Sequence, residues 1–263
     1  MSKKKQIKIK DIISLYESGL PPVQIAEKFN CCTVNITRRL KKAGIEFKRD
    51  YSTVRRTRIN RHTVDEHYFD NINTEDKAYF LGLMYSDGSV TKNQFYLKLK
   101  DEHILQSFKE CIKSSAPIRS KNTPWGVIYL FCVSSQKLCK SLINQGCYIN
   151  KTKTIKFPKL EATLIKHFIR GFFDGDGCLQ LNDKLYRCSF DLTSASKEFL
   201  EQVRPIITEK AISNGGLNKE FKYDVWHLRY CGKQVIQILD WLYSDANFYL
   251  NRKYFKYQIL SSL

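Results

Sequence analysis

Two short segments of the chain repeat each other and end in the same acidic dipeptide. They read AYFLGLMYSDGSV (78–90) and HFIRGFFDGDGCL (167–179), and Asp87 in the first corresponds to Asp176 in the second. Each acid follows an apolar stretch with the character of a helix. It therefore lies at a helix C-terminus, where the negative end of the helix dipole disfavours a carboxylate. The Gly that follows each acid suits the end of a helix. An acid kept twice in an unfavourable place indicates a cation-binding role.

The chemistry of such a pair depends on how closely the two helices approach. Gly82 and Gly171 occupy equivalent positions in the repeat, and without side chains they allow two helix backbones to press together. Two carboxylates brought side by side repel each other, and hard divalent cations relieve that repulsion. Carboxylate, water and phosphate oxygens suit Mg²⁺, and Mn²⁺ or Ca²⁺ are possible occupants of the same site. Cations held in this way can activate a water molecule and stabilise a leaving 3′ oxygen in phosphodiester hydrolysis.

The charge of the chain favours a nucleic-acid partner. Lys and Arg number 44 against 26 Asp and Glu, which gives a formal net charge of +18. Residues 1–61 hold sixteen of the basic and five of the acidic side chains, so the front of the chain is the more basic part. An excess of this size points to a polyanion.

Composition also bounds the compartment. Nine cysteines, an odd number without a CxxC pair, favour reduced thiols. The sequence shows no secretory signal and no run near the ~20 apolar residues that would cross a membrane. We therefore expect an intracellular, cytoplasmic protein without a membrane partner.

The elements around the two repeats follow a common order. Each motif helix is followed by an alternating strand (QFYLKLKDE, then YRCSFDLTSAS), a helix, a further strand (WGVIYLFCVSS, then YDVWHLRYC) and another helix. Both halves therefore read as a helix, two strands, a helix, two strands or a turn, and a helix. This order predicts an α+β fold of two tandem αββαββα units related by a pseudo-twofold axis. The predicted domain spans 65–263, with halves of about 65–160 and 161–263.

These motifs identify a family resemblance. FLGLMYSDG (80–88) and IRGFFDGDG (169–177) resemble the motif that names the LAGLIDADG homing endonucleases, in their two-motif, monomeric form. The resemblance covers roughly residues 65–260. It implies a saddle-shaped, site-specific DNA endonuclease that acts as a monomer and uses Asp87 and Asp176 as catalytic metal ligands. It also implies a staggered double-strand cut across the minor groove.

The resemblance implies further site residues. The family usually carries one basic residue per half. CYINKTKTIKFP offers Lys151, with Lys153 as its competitor, and FYLNRKYFKY offers Lys253, with Arg252 as its competitor. Asp101 and Ser194 follow the first strand of each half and could order water. The motif often has an acid two positions before the metal ligand. Asp174 keeps it in the second copy, whereas the first copy has Tyr85.

The N-terminal residues predict a second, all-α domain over 1–47. Three short amphipathic helices, with a turn at Asn30-Cys31-Cys32 and a cap at Thr33, resemble the helix-turn-helix of DNA-invertases and resolvases. By that resemblance the segment 33–40 is the recognition helix. A basic linker over 48–64 would follow DNA phosphates. The candidate DNA-binding residues of the two segments are Thr33, Asn35, Arg38, Arg39, Lys41, Lys42, Arg55, Arg56 and Arg58.

The strands predict where bases are read. Lys98 and Lys100 alternate with Leu97 and Leu99, and such alternation places one set in the core and the other on an open face. A sheet face with basic side chains can enter the major groove of double-stranded DNA. Trp125, Trp226 and Trp241 are interpreted as core residues.

Two other functions fit the same fold. One is a non-cleaving transcriptional regulator of the WhiA type, and the other is an intron maturase. The intact Asp-Gly pairs and the N-terminal position of the helix-turn-helix favour the Mg²⁺-dependent endonuclease.

Overall fold

A computed structural model describes residues 8–45, 62–182, 184 and 187–262, which belong to two compact units, Met1–Ile59 and Asn60–Leu263. Residues 48–61 of the predicted linker lie outside these ranges. Arg55, Arg56 and Arg58 therefore lie outside the described residues as well.

The N-terminal unit contains three helices in its described part. They are α1 (Ile9–Glu17), α2 (Pro22–Lys28) and α3 (Thr33–Lys42). Their apolar faces meet in a small core of Ile12, Ile25, Ala26, Ile36 and Leu40. The predicted cap at Thr33 is wrong by one position. Cys32 is the residue that precedes the helix, and it makes no side-chain capping bond.

The first half of the C-terminal unit alternates helices and strands as the pattern predicted. Its elements are α4 (Glu75–Ser86), β1 (Gly88–Val90), β2 (Gln94–Leu99), α5 (Glu102–Cys111), β3 (Ile118–Thr123), β4 (Gly126–Ser134) and α6 (Gln136–Asn144). A single 3₁₀ turn at Lys151–Lys153 follows.

The second half repeats this order and adds a final helix. Its elements are α7 (Ala162–Asp176), β5 (Gly177–Gln180), β6 (Ser189–Ser194), α8 (Lys197–Ala211), β7 (Gly216–Glu220), β8 (Val225–Cys231), α9 (Lys233–Tyr243) and α10 (Asn251–Ser261). The α+β class and the two αββαββα repeats are confirmed.

Each half contains one antiparallel sheet, and the two sheets have matching strand orders, β1-β2-β4-β3 and β5-β6-β8-β7. Their registers also match, since Gly88 pairs with Leu97 and Gly177 pairs with Leu192. Alternate strand residues pack into one continuous core with α4 and α7. The other strand residues form an open face on each sheet.

The interpretation of Trp125 as a core residue is wrong. This tryptophan stands in the β3–β4 turn and is 81% exposed, whereas Trp226 and Trp241 pack against the core. The turn residues that surround it, Thr123 and Gly126, offer no apolar surface to cover the ring.

In the part of the chain that the structure describes, none of the helices has the length and apolar content needed to cross a membrane. All nine cysteines are free thiols.

Candidate metal centre and nucleic-acid interface

The two motif helices, α4 and α7, touch through their backbones. A Cβ atom built on Gly82 would lie 2.1 Å from the carbonyl oxygen of Phe168, and one on Gly171 would lie 2.0 Å from that of Tyr79. These distances are far below any real Cβ contact, so only glycine fits at either position. The contacts are reciprocal, as a pseudo-twofold axis between the helices requires. Glycine at these positions permits the approach that the sequence predicted.

The same approach continues to the C-terminal ends of the helices. A Cβ on Gly175 would lie 1.9 Å from the Ser86 hydroxyl and 2.8 Å from Oδ2 of Asp87. Asp87 caps α4 and Asp176 is the last residue of α7. The structure therefore brings the two acids of the repeated motif to one end of the helix pair. Both side chains remain exposed there and can be reached by a ligand.

The electrostatics of this junction disfavour two free carboxylates. Loss of hydration, followed by the negative charge of Asp87, raises the pKa of Asp176 to about 7. Loss of hydration also raises the pKa of Asp87, and neighbouring cations, Lys253 above all, oppose that shift. Both side chains nevertheless keep contact with solvent. A cation near the two carboxylates would favour their charged forms.

Lys151 and Lys253 make equivalent contacts in the two halves. The ammonium of Lys151 donates to the carbonyl oxygen of Gly88 at 2.6 Å, and that of Lys253 donates to Gly177 at 2.6 Å and also to Phe173. Each lysine thus binds the residue that follows the acid of its own half. Both side chains are buried, and burial lowers the pKa of Lys253 to about 8, against the opposing charge of Asp174.

The two competing residues lie elsewhere. Lys153 forms an ion pair with Asp224 at 2.6 Å, and both partners are more than half exposed. Arg252 donates to Asp101 at 3.1 Å. Geometry therefore distinguishes Lys151 and Lys253 from their sequence neighbours, a choice that the sequence left open.

The two predicted water-ordering residues make hydrogen bonds within the protein. Asp101 precedes α5 and accepts the bond from Arg252, which belongs to the other half. Ser194 ends β6 and accepts a bond from the backbone of Ser196 at 3.1 Å. The negative charge of Asp101 also contributes to the raised pKa of Asp87.

The donor set fits a hard divalent cation with an open coordination sphere. Within the described ranges, no group of three or more His, Cys, Asp and Glu side chains could hold a metal ion. Two carboxylates alone would leave most ligand positions to water and phosphate. Mg²⁺ is usually bound in proteins by one or two carboxylates together with such ligands. Asp87 and Asp176 are the residues that would hold it.

Asp174 has a different place from the two exposed acids. It is fully buried and accepts hydrogen bonds from the hydroxyls of Tyr79 (2.8 Å) and Tyr243 (2.6 Å) and from the backbone of Leu250 (2.9 Å). In the first half Tyr85 donates instead to the carbonyl oxygen of Gln145 at 2.6 Å. Both positions therefore bond their motif helix to other parts of the fold.

Sequence reasoning missed a buried arginine that joins the halves. Arg170 lies on α7 with no exposed surface, and its guanidinium donates to the carbonyl oxygens of Phe248 and Leu242, both at 2.8 Å. It also pairs with Glu75 at 2.5 Å. An arginine within an apolar motif was the only available signal, because its partners are distant in sequence.

The open face of the first sheet is basic. Lys98 and Lys100 are exposed, while Leu97 and Leu99 are buried, so the predicted alternation is observed. Arg119 and Lys121 on β3 are exposed too and pair across the sheet with Leu130 and Ile128 of β4. These two residues carry no sequence signal, because β3 has no apolar alternation.

In the N-terminal unit, α3 carries its polar residues outside the small core. Ile36 and Leu40 are buried, and Thr33 is partly buried. The exposed members of the predicted DNA-binding set on this helix are Asn35, Arg38, Arg39, Lys41 and Lys42.

Comparison with known proteins supports one fold. Residues 163–239 match the family model described as a LAGLIDADG-like domain. A probable translation initiation factor IF-2 of Methanocaldococcus jannaschii is 31% identical over 179 residues, which are 60% of this chain and 14% of that protein. The chain thus spans about one seventh of the length of this relative.

Two solved structures are also similar. The homing endonuclease I-WcaI bound to its DNA recognition sequence is 12% identical with a TM-score of 0.52, over 73% of this chain and 91% of that one. Full-length DUF199/WhiA from Thermatoga maritima is 14% identical with a TM-score of 0.49, over 75% of this chain and 64% of that one. At such identities a likeness shows the fold alone. The C-terminal unit has the LAGLIDADG fold, and its residues 163–239 are similar in sequence to the LAGLIDADG-like domain.

Proposed function

We propose that the chain is a site-specific, Mg²⁺-dependent DNA endonuclease that cuts both strands of a long target. One observation carries the proposal: Asp87 and Asp176 lie together at the end of a glycine-packed helix pair, each beside a buried lysine of equivalent geometry. A fold needs neither exposed acids with raised pKa values nor buried lysines at such a place. Phosphodiester hydrolysis uses both.

The residues divide the chemistry between them. Asp87 and Asp176 would bind the divalent cations, which lower the pKa of an attacking water when bound. Lys253 uses two of its three ammonium donors on carbonyl oxygens, so one hydrogen remains for a phosphate oxygen. In the other half, Lys151 donates to the carbonyl oxygen of Gly88, the equivalent of Gly177. With one lysine and one acid from each half, each half would serve one strand, and the product would be a staggered double-strand break.

The charge distribution supports double-stranded DNA as the substrate. The open face of the first sheet presents Lys98, Lys100, Arg119 and Lys121, which suits the major groove. In the N-terminal unit, α3 presents an exposed basic surface, and we propose that it acts as a helix-turn-helix recognition helix on the same DNA.

We also propose that the chain acts as a monomer, because both halves of the metal centre belong to one polypeptide. Analytical ultracentrifugation in the absence of DNA tests this. A single species of about 31 kDa is expected, and an obligate dimer would contradict the proposal.

The decisive experiment is cleavage of a randomised DNA library in Mg²⁺. Wild type is compared with the Asp87→Asn, Asp176→Asn double variant and with Asp240→Asn, an exposed acid of α9 that serves as the matched control. Wild type and the control are expected to cut both strands, and the double variant is expected to bind without cutting. Binding by all three proteins without any cutting would instead identify a DNA-binding regulator.

A further inference from the structure

A charged network lies on the open face of the second sheet. Asp191 of β6 pairs in register with Arg229 of β8. The guanidinium of Arg229 donates to Oδ2 of Asp191 through Nε at 2.7 Å and through Nη2 at 2.6 Å. The two residues differ in exposure: the Asp191 side chain is 5% exposed and that of Arg229 is 51% exposed. The buried carboxylate of Asp191 thus binds the Nε and Nη2 groups of an arginine that is half exposed to solvent.

A histidine fixes the acid in turn. Nδ1 of His227 lies 3.0 Å from Oδ1 of Asp191, and its Nε2 lies 3.1 Å from Glu220 of β7. Both oxygens of Asp191 are therefore occupied, one by Arg229 and one by His227. The carboxylate has little freedom to rotate, and the orientation of the Arg229 guanidinium is fixed through it.

The fold does not require this network. The matching registers of the two sheets make Tyr96 the equivalent of Asp191 and Cys132 the equivalent of Arg229. Tyr96 and Cys132 form the corresponding cross-strand pair in the first sheet without any charge. The same architecture is thus built in one half with an uncharged pair and in the other with a buried acid. Since burying a charge costs free energy, the second half needs another reason to keep it.

We propose that Arg229 is a specificity-determining residue that recognises a guanine in the major groove, and that Asp191 is its positioning residue. This inference rests on the proposed function and deepens it. With Nε and one hydrogen of Nη2 directed to Asp191, the other edge of the guanidinium keeps two parallel donors, one hydrogen of Nη1 and the second hydrogen of Nη2. That pair matches O6 and N7 of guanine, the commonest specific contact of arginine with DNA. A fixed guanidinium loses less freedom on binding than a free one.

A phosphate could accept the same donors, but it carries no sequence information. A phosphate contact and a guanine contact of Arg229 respond differently to the substitution of this residue by lysine. A phosphate contact tolerates Arg229→Lys, because the charge remains, whereas a bidentate guanine contact requires the planar fork. Position-specific discrimination therefore separates the two.

The test uses the full chain and the preferred site that it selects from randomised DNA. Relative affinity is measured for every single base-pair change, for wild type and for Arg229→Lys, Arg229→Gln and Asp191→Asn. The matched control is Lys210→Gln. It removes one positive charge, as Arg229→Gln does, from α8, which packs against the core side of β6 and β8. Thermal melting verifies that each variant is folded.

Wild type is expected to prefer guanine about tenfold or more at one position of the half-site bound by the second sheet. Both Arg229 variants should reduce this preference to about twofold or less. Asp191→Asn should reduce it as well, with undiminished affinity for unrelated DNA, because a negative charge is removed. A purely structural role for Asp191 would not separate these two readouts.

The outcomes distinguish the inference from the proposed function. A preferred site whose base profile is unchanged in Arg229→Lys and Arg229→Gln overturns the inference alone. A wild-type protein that selects no site overturns the proposed function, and the inference falls with it. A profile lost equally in Lys210→Gln also overturns the inference, since net charge would then explain the effect.

Discussion

At the scale of single residues, the exposed acids and the buried acid of the second motif have opposite roles. Asp176 is exposed beside Asp87 and destabilises the metal-free fold, because its pKa is raised to about 7. Asp174, two positions earlier, is buried and makes three hydrogen bonds. One acid is suited to a ligand and the other to stability, although the sequence separates them by a single glycine.

Asp176→Asn is expected to stabilise the metal-free protein at pH 8. A carboxyl whose folded pKa lies above its ordinary value of 3.8 contributes most to stability below that value, and the contribution is lost as the pH rises through about 7. The variant should therefore melt a few degrees higher than wild type at pH 8 and show less difference at pH 4. Mg²⁺ should raise the melting temperature of wild type more than that of the variant. Equal melting curves at pH 8 would contradict the raised pKa of Asp176.

Asp174→Asn is expected to have the opposite effect. An amide keeps one acceptor oxygen but presents an NH₂ group to the hydroxyls of Tyr79 and Tyr243, which now donate to the carboxylate. Loss of these buried hydrogen bonds should lower the free energy of unfolding by about 2–4 kcal/mol. Urea denaturation measures it, with Tyr243→Phe as a milder control. A loss below that of the tyrosine variant would argue against this role.

At the scale of elements, the backbone contact of α4 with α7 joins the two halves. Glycine at positions 82 and 171 leaves no gap between the helices, and Arg170 of α7 joins the same two helices through its ion pair with Glu75 of α4. The halves are thus held by close backbone packing and by a buried ion pair. Neither can shift without breaking several contacts.

Gly171→Ala is expected to destabilise the C-terminal unit by about 3 kcal/mol or more, because its methyl group would meet a backbone carbonyl that cannot yield. Gly216→Ala is the matched control. Its nearest neighbour is the flexible Asn218 side chain at 3.2 Å, so a change within about 0.5 kcal/mol is expected. Chemical denaturation of both variants gives the comparison, and similar losses would show that the helix contact is not the sensitive one.

The sequence predicted the elements that carry a pattern and missed those that depend on distant partners. Asp87, Asp176 and their helices follow from a repeated apolar frame that ends in Asp-Gly. By contrast, β3 is almost wholly polar and lacks a period of two, so its place at a sheet edge is set by β4 alone. Trp125 was wrongly assigned to the core because composition favours burial of tryptophan, while its turn provides nothing to cover it.

The lysines show the same limit within the site. The sequence offers two candidate basic residues in each half, Lys151 and Lys153 in the first and Arg252 and Lys253 in the second. Only the fold shows which of them contacts the carbonyl after each acid. The Arg229 network is likewise invisible in sequence, because its four residues come from three different strands.

At the scale of the whole molecule, net charge should dominate affinity for DNA. A protein with +18 formal charges that contacts phosphates releases counterions, so binding weakens steeply as salt increases. Deletion of residues 1–59, the compact N-terminal unit, should lower affinity and make the salt dependence shallower. Fluorescence anisotropy at several salt concentrations measures both slopes. Identical slopes would show that the N-terminal unit makes no phosphate contacts.

The glycine contact has a final consequence for the geometry of the product. Asp87 and Asp176 are attached to helix ends whose separation is set by backbone against backbone, not by flexible side chains. Under the proposed function the helix pair fixes the distance between the two acids. The protein therefore sets the distance between the two cut positions, and with it the length of the overhang. The base-contacting strands can then diverge toward new targets while every product keeps the same overhang length.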